Sequence, residues 1–257
     1  MNLQQQYAAF RTIVVKEILR FMRIWVQTVV PAAITTALYF IIFGELISSQ
    51  IGAIDGFSYM EYIVPGIILM TVINNAYANV VSSFYGAKFQ RHVEEMLVSP
   101  MPNYLIIIGF VAGGVARGLA VGVVVTLIAI FFTDFQVHDY IVAISVDILT
   151  AILFSLGGFI NAIYANSFDD ISIIPTFVLT PLTYLGGIFY SIDMLPDFWQ
   201  DVSLVNPILY MINAFRFGLL GVSDIPMATA FSIIVLFTVG LYTFCLYLLG
   251  KGIGIRS

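Results

Sequence analysis

Arg117 and Asp147 have the clearest claim to chemistry in this chain, because each stands alone among long runs of apolar neighbours. A lone charge in hydrocarbon costs at least about 2.5–3.5 kcal/mol, so such a residue has either a partner or a task. Counting at 1.5 Å per residue puts Arg117 roughly 16 Å above the inner edge of its run. Asp147 falls roughly 20 Å above that edge in a run entered from the other side of a 30 Å core. The short connection 133–139 makes the two runs antiparallel neighbours. The expectation is an intramembrane ion pair, read first as a fixed clamp and second as part of a transport path. Asn74, Asn75 and Asn79 crowd the inner half of another run and are open to the same two readings: hydrogen bonds between helices, or a polar lining. His92 and His138 fall in loops on opposite sides, too far apart to share a metal or a proton. No H-E-x-x-H, C-x-x-C, G-x-S-x-G or G-x-x-x-x-G-K-[ST] pattern occurs, so proteolysis, acyl transfer and autonomous ATP hydrolysis lack their usual groups. No metal or cofactor is expected on this chain, and no enzymatic activity.

The elements that must position these residues follow from composition. Of 257 residues, 60% are hydrophobic and 10% charged, with a mean hydropathy of +1.00. Such a balance belongs to a membrane chain rather than a soluble domain. Eight of the ten lysines and arginines cluster: Arg11, Lys16, Arg20 and Arg23 before the first apolar run, Lys88 and Arg91 in one loop, Lys251 and Arg256 at the end. Excess Lys/Arg beside a span marks the cytoplasmic side. Both termini are therefore expected inside, with residues 85–102 and 165–170, in a multi-pass inner-membrane protein. Glu45, Asp55, Glu61, Asp134, Asp139, Asp193, Asp197, Asp201 and Asp224 fall at the outer ends, so the net charge of −5 reports avoidance of lipid. There is no basic footprint for nucleic acid. Cys245 is single, which excludes an intrachain disulfide, and no cleavable leader is expected.

Six spans are expected, at about 24–43, 62–81, 105–132, 140–164, 171–192 and 226–249, in an all-α fold forming one domain over 1–257. Residues 3–22 repeat Leu3, Tyr7, Phe10, Val14 and Phe21 at helical spacing and read as an amphipathic helix lying in the inner headgroup layer with its bases toward lipid phosphate. A seventh apolar run, 204–222, is broken by Asn206-Pro207 and holds Arg216. A full crossing there would put Lys251 and Arg256 outside. It is read instead as a re-entrant helical pair over 193–220, tolerated if packed in protein. Gly114, Gly118 and Gly122 form a four-residue ladder on which another helix can approach closely. No internal repeat is visible, which weighs against inverted-repeat secondary carriers.

Two segments carry more than packing. The loop from Tyr85 to Pro100 places Phe89, Val93, Met96 and Leu97 on one helical face and Arg91, Glu94 and Glu95 on another, a shape suited to lipid or to a soluble partner. The second runs Pro181-Leu182-Thr183-Tyr184-Leu185-Gly186-Gly187-Ile188-Phe189-Tyr190, then Met194-Leu195-Pro196, then Leu204-Val205-Asn206-Pro207 through Phe215-Arg216. With Tyr59-Met60-Glu61-Tyr62-Ile63-Val64-Pro65-Gly66, in this order and spacing, the chain resembles the ABC-2 family of ABC transporter permeases over essentially its whole length. That resemblance implies a half-channel that dimerises with a second copy and joins two copies of a separate ATPase, which would hold ATP and Mg. It implies export of a lipidic, glycan or drug-like cargo. Residues 3–22 would be the connecting helix and 86–100 the coupling helix docked on the ATPase, with Met96 and Leu97 inserted and Glu94 and Glu95 at the rim. The outer re-entrant cap would hold Pro196, Asn206, Pro207 and Arg216. No fused nucleotide-binding domain and no large external domain are present in the sequence. An ion-coupled secondary carrier is the alternative from another class.

Overall fold

The computed structural model describes residues 1–134 and 136–254, and the side chains among them except at 45, 46, 49 and 50. Arg256 and the Glu45 side chain lie outside what is described. Helix α1 (Leu3–Arg23) opens on a capping box in which Asn2 and Gln5 satisfy each other's backbone N–H groups. Helix α2 (Trp25–Tyr39) continues through a π-helical stretch, Phe40–Ile47, into α3 (Ser48–Ile51). A two-residue hairpin follows, β1 (Ala53–Ile54) against β2 (Phe57–Ser58). Its turn residues Asp55 and Gly56 both have positive φ, the backbone that Asp-Gly accepts readily in tight hairpin turns. Ser58 and Glu61 form a second capping box that starts α4 (Tyr59–Phe89). Next come α5 (His92–Val98), α6 (Asn103–Ala129) and α7 (Tyr140–Tyr164), the last capped by Asp139. Helix α8 (Asp170–Ile174), a π-helical stretch Pro175–Leu179 and α9 (Thr180–Tyr184) form one interrupted rod. Helices α10 (Asp197–Leu204), α11 (Pro207–Leu220) and α12 (Met227–Lys251) complete the chain.

Helix α4 is the axis of the bundle. Most of its residues are buried, among them Tyr62, Ile63, Ile67, Leu69, Ile73 and Phe84. Helices α6 and α7 flank it, and the glycine ladder explains how closely. A Cβ on Gly118 would lie 3.0 Å from the Ala76 side chain, and one on Gly122 would lie 2.7 Å from Val72. Small residues at these positions let two backbones meet without side chains between them, the packing mode available where lipid supplies no hydrophobic drive. One turn away, Gly109 and Gly113 do the same for α1, against Ile13 and Glu17.

Contacts at the two ends of α4 count the crossings. At its C-terminal end the Lys88 ammonium donates to the carbonyls of Ile163 (2.6 Å) and Ala165 (2.7 Å), closing the end of α7, and Tyr85 packs edge-on against Phe168. At its N-terminal end the Tyr59 hydroxyl donates to the Phe189 carbonyl at 3.1 Å. The segment 168–189, which contains the rod α8–α9, therefore runs from one end of α4 to the other. Helices α10 and α11 stay at the far end, where the N–H groups of His138 and Asp139 donate to Leu219 and Gly218. Helix α12 then returns, bringing Gly254 beside Ile163. The chain passes between the two ends six times.

Among the described residues five helices are long and apolar enough to cross a membrane unaided: α2 with its extension, α4, α6, α7 and α12. The fifth expected span, 171–192, differs from its outline. Helix ends at Tyr184, and residues 170–184 cover roughly 22 Å at 1.5 Å per residue, short of a 30 Å core. Pro175 and Pro181 lack the N–H that would continue regular hydrogen bonding, and Gly187 turns the chain with φ of +77°. The expected re-entrant pair is present as a sharp bend, α10 and α11 meeting at 88°.

Candidate substrate groove and docking surface

The expected Arg117–Asp147 pair does not form. Among the described residues the salt bridges are Lys16–Glu17 and Arg20–Glu17, and both Arg117 Nε and Asp147 Oδ1 are buried without a hydrogen-bond partner. Rotation separates them, and so does height: Arg117 lies five residues, roughly 7.5 Å, along α6 from Gly122, the residue that Asp147 faces. Asp147 lies beside Gly122, 3.9 Å from where a Cβ would sit, on the α6–α7 seam. Five residues separate 117 from 122, about 140° around the helix, so Arg117 points elsewhere.

Arg117 lines a groove of about 260 Å³ bounded by α2, α4 and α6, together with Thr35, Met70, Thr71, Asn74 and Asn75. Asn74 and Asn75 each donate one N–H to the carbonyl four residues back, at 3.0 Å. The amide oxygen and second N–H of each remain free to face the groove. Toward the N-terminal end of α4 the groove meets an aromatic group. Tyr39 hydrogen-bonds Tyr184 hydroxyl to hydroxyl at 3.2 Å, and Phe43 stacks on Phe189 at 4.7 Å.

Asn79 does not belong with the other two asparagines. It is fully buried, and its side-chain and backbone oxygens both accept from the Arg20 guanidinium at 2.8 Å. This is the centre of an inner-end knot that pattern reading missed, because Glu17 was hidden among the polar residues of an amphipathic helix. Glu17 is fully buried, accepts from the Ser83 hydroxyl at 2.7 Å and faces Arg20 Nε at 3.4 Å, an ionic distance rather than a hydrogen bond. Helix α1 is thus bolted to α4 and α6 along one side. Arg20 serves this clamp instead of reaching lipid phosphate; Arg11 and Lys16 keep exposed positions. Glu17 could have been found as the one acid on the helix that falls in register with Ile13.

The loop 86–100 is not one helix. Residues 86–89 belong to α4, Arg91 takes the left-handed conformation (φ 61°), and α5 begins at His92. Phe89 consequently leaves the face that Val93, Met96 and Leu97 share. Val93 is fully buried and Met96 and Leu97 pack on the bundle, whereas Phe89, Arg91, Glu94, Glu95 and Val98 are exposed. The surface offered outward is the opposite of the one expected.

At the outer end Asn206 stops the bend of α10 and α11 twice over. Its side-chain oxygen caps the Ile208 N–H at 3.0 Å, and its amide donates to the Leu182 carbonyl at 2.6 Å. Pro196 precedes α10 and Pro207 occupies the first position of α11, where no N–H is needed. Arg216 is buried, donates to the Gly187 carbonyl and stacks on the Tyr62 ring 3.9 Å from its centroid. It fastens the cap to α4, with Nε and Nη1 left without partners.

An all-helical bundle of this kind, six passages with a bent helix pair at one end and a short helix on a loop at the other, is the architecture of a polytopic membrane protein. The model of the ABC-2 type transporter family matches residues 8–220, and the chain belongs to that family. Among curated proteins it is similar to the Inner membrane transport permease YadH of Escherichia coli (strain K12), 59% identical over 251 residues covering 98% of each chain. It is also similar, at 24% identity over 179 residues and 69% of each chain, to Nodulation protein J of Rhizobium leguminosarum bv. viciae. The chain is a multi-pass inner-membrane transport permease, and its family implies an ABC ATPase as partner.

Proposed function

We propose that this chain is the membrane half of an exporter: two copies form the pathway, a separate ATPase subunit in two copies binds and hydrolyses ATP with Mg, and the cargo is lipidic, glycan or drug-like. The observation that carries this is the polar groove lined by Arg117, Asn74 and Asn75, set among apolar helices and bordered by Tyr39, which joins Tyr184 hydroxyl to hydroxyl. Polar side chains facing a cavity inside a span mark a transport route when bundle packing does not use them. The exposed face of α5, with Phe89 and Arg91 before it and Glu94 and Glu95 on it, supports the ATPase docking there, a carboxylate pair meeting basic groups on the partner. Both termini and α5 then lie in the cytoplasm, and membrane lipid surrounds α1 and the outer face of α2.

The test is copurification with the ATPase and turnover in nanodiscs made from total cell lipid. Glu94→Lys with Glu95→Lys should lose the ATPase while the permease still inserts. Thr35→Trp, which fills the groove, should keep the complex and its basal turnover but lose lipid-stimulated turnover. Cysteine labelling that finds the C-terminus outside would sink the proposal, as would charge-reversed α5 that still binds the ATPase.

A further inference from the structure

We propose that the groove binds a phosphate-class anionic head carried on an apolar body, with Arg117 as the recognising cation. This rests on the reading of the groove as the route. Arg117 has no carboxylate partner among the described residues, and Asp147 is turned onto the α6–α7 seam. Among the described residues no acid lines the groove; its other polar groups are amides and hydroxyls, and the second N–H of Asn74 and of Asn75 is left to donate to an anion. A guanidinium in this setting matches a planar or tetrahedral oxyanion, through charge-assisted hydrogen bonds shorter and stronger than neutral ones.

Size and surroundings set the rest. A volume of about 260 Å³ is on the scale of a head group, smaller than the pockets that enclose whole drug-sized ligands. The body must stay outside, and the flank of α2 beside the groove offers Ile34 and Leu38, both exposed and apolar, to hold it. One charge inside and one hydrocarbon surface beside it select an amphiphile. Phosphate borne by a lipid and phosphate borne by a small soluble molecule share the head chemistry, and the experiment separates them.

The complex with its ATPase is placed in phosphatidylcholine nanodiscs with a trace of diazirine-bearing phosphatidic acid, or with a phosphatidylcholine probe of identical chains. After irradiation the labelled peptides are mapped. Phosphatidic acid should label residues 70–75 roughly tenfold more than phosphatidylcholine, the ratio expected when a charged hydrogen bond is gained. Arg117→Gln should erase that preference and Arg117→Lys should keep part of it, with gel filtration confirming both variants as assembled. Displacement by sn-glycerol 3-phosphate would assign the site to soluble phosphates; resistance would assign it to the lipid. Equal labelling by both probes, unchanged in Arg117→Gln, overturns anion recognition while leaving the route intact. A groove labelled by neither probe overturns it as well, and the Thr35→Trp turnover then decides whether the route survives.

Discussion

The inner-end knot and the groove are built from the same residue types and put to opposite uses. In the knot, Glu17, Arg20, Asn79 and Ser83 turn polar atoms on one another across two helices, α1 and α4. In the groove, Arg117, Asn74 and Asn75 leave theirs facing a cavity. Residue type does not separate the two regions; what the side chains face does, protein in the knot and a cavity in the groove. A buried carboxylate held by a hydroxyl and a guanidinium fastens helices, whereas a guanidinium without an acid is available to a ligand.

Breaking the knot should do the most damage. Glu17→Ala removes the buried carboxylate between Ser83 and Arg20, leaving Arg20 to its Asn79 acceptors alone, and is expected to cost on the order of 3 kcal/mol, read as a lower melting temperature of the detergent-solubilised protein. Glu17→Gln, which keeps the Ser83 contact, should cost visibly less. Gly118→Leu comes next: with Ala76 already 3.0 Å from the missing Cβ, overpacking should cost about 1–3 kcal/mol and loosen α4 from α6. Ser83→Ala removes one hydrogen bond to a buried charge and should cost about 1.5 kcal/mol. On the groove side stability should barely move. Arg117→Gln is expected within about 0.5 kcal/mol of the parent while losing lipid-stimulated turnover. Finally, Arg117→Ala and Asp147→Ala should add, with a coupling energy under about 0.5 kcal/mol; a larger coupling would restore the ion pair that the structure denies.

Much of the fold was legible because hydrocarbon is an exacting solvent. Apolar runs long enough to cross, flanked by lysine and arginine, forced the spans at 62–81, 105–132, 140–164 and 226–249 and the bent pair at 193–220, and each is matched by helix in the structure. The ladder of Gly114, Gly118 and Gly122 announced a close helix approach, and α4 fills it. The hairpin at Asp55-Gly56 could have been read from its turn residues and was not. The fifth crossing was drawn too regular, because hydropathy over 171–192 says nothing of where Pro175, Pro181 and Gly187 interrupt the hydrogen bonding.

Sequence alone determined which residues must leave water and that Arg117 and Asp147 stand alone as charges within their apolar runs. What it could not supply is rotation about a helix axis and the choice of neighbour. Rise per residue fixes height, but a helix apolar on every face has no amphipathic stripe to say which side meets which partner. Only tertiary packing turned Asp147 to the α7 seam and Arg117 to the groove, sent Asn79 to Arg20 instead of to Asn74 and Asn75, and laid Val93, Met96 and Leu97 inward. The backbones meet where glycine allows, and that contact, more than the polar pattern, decides which charges find each other.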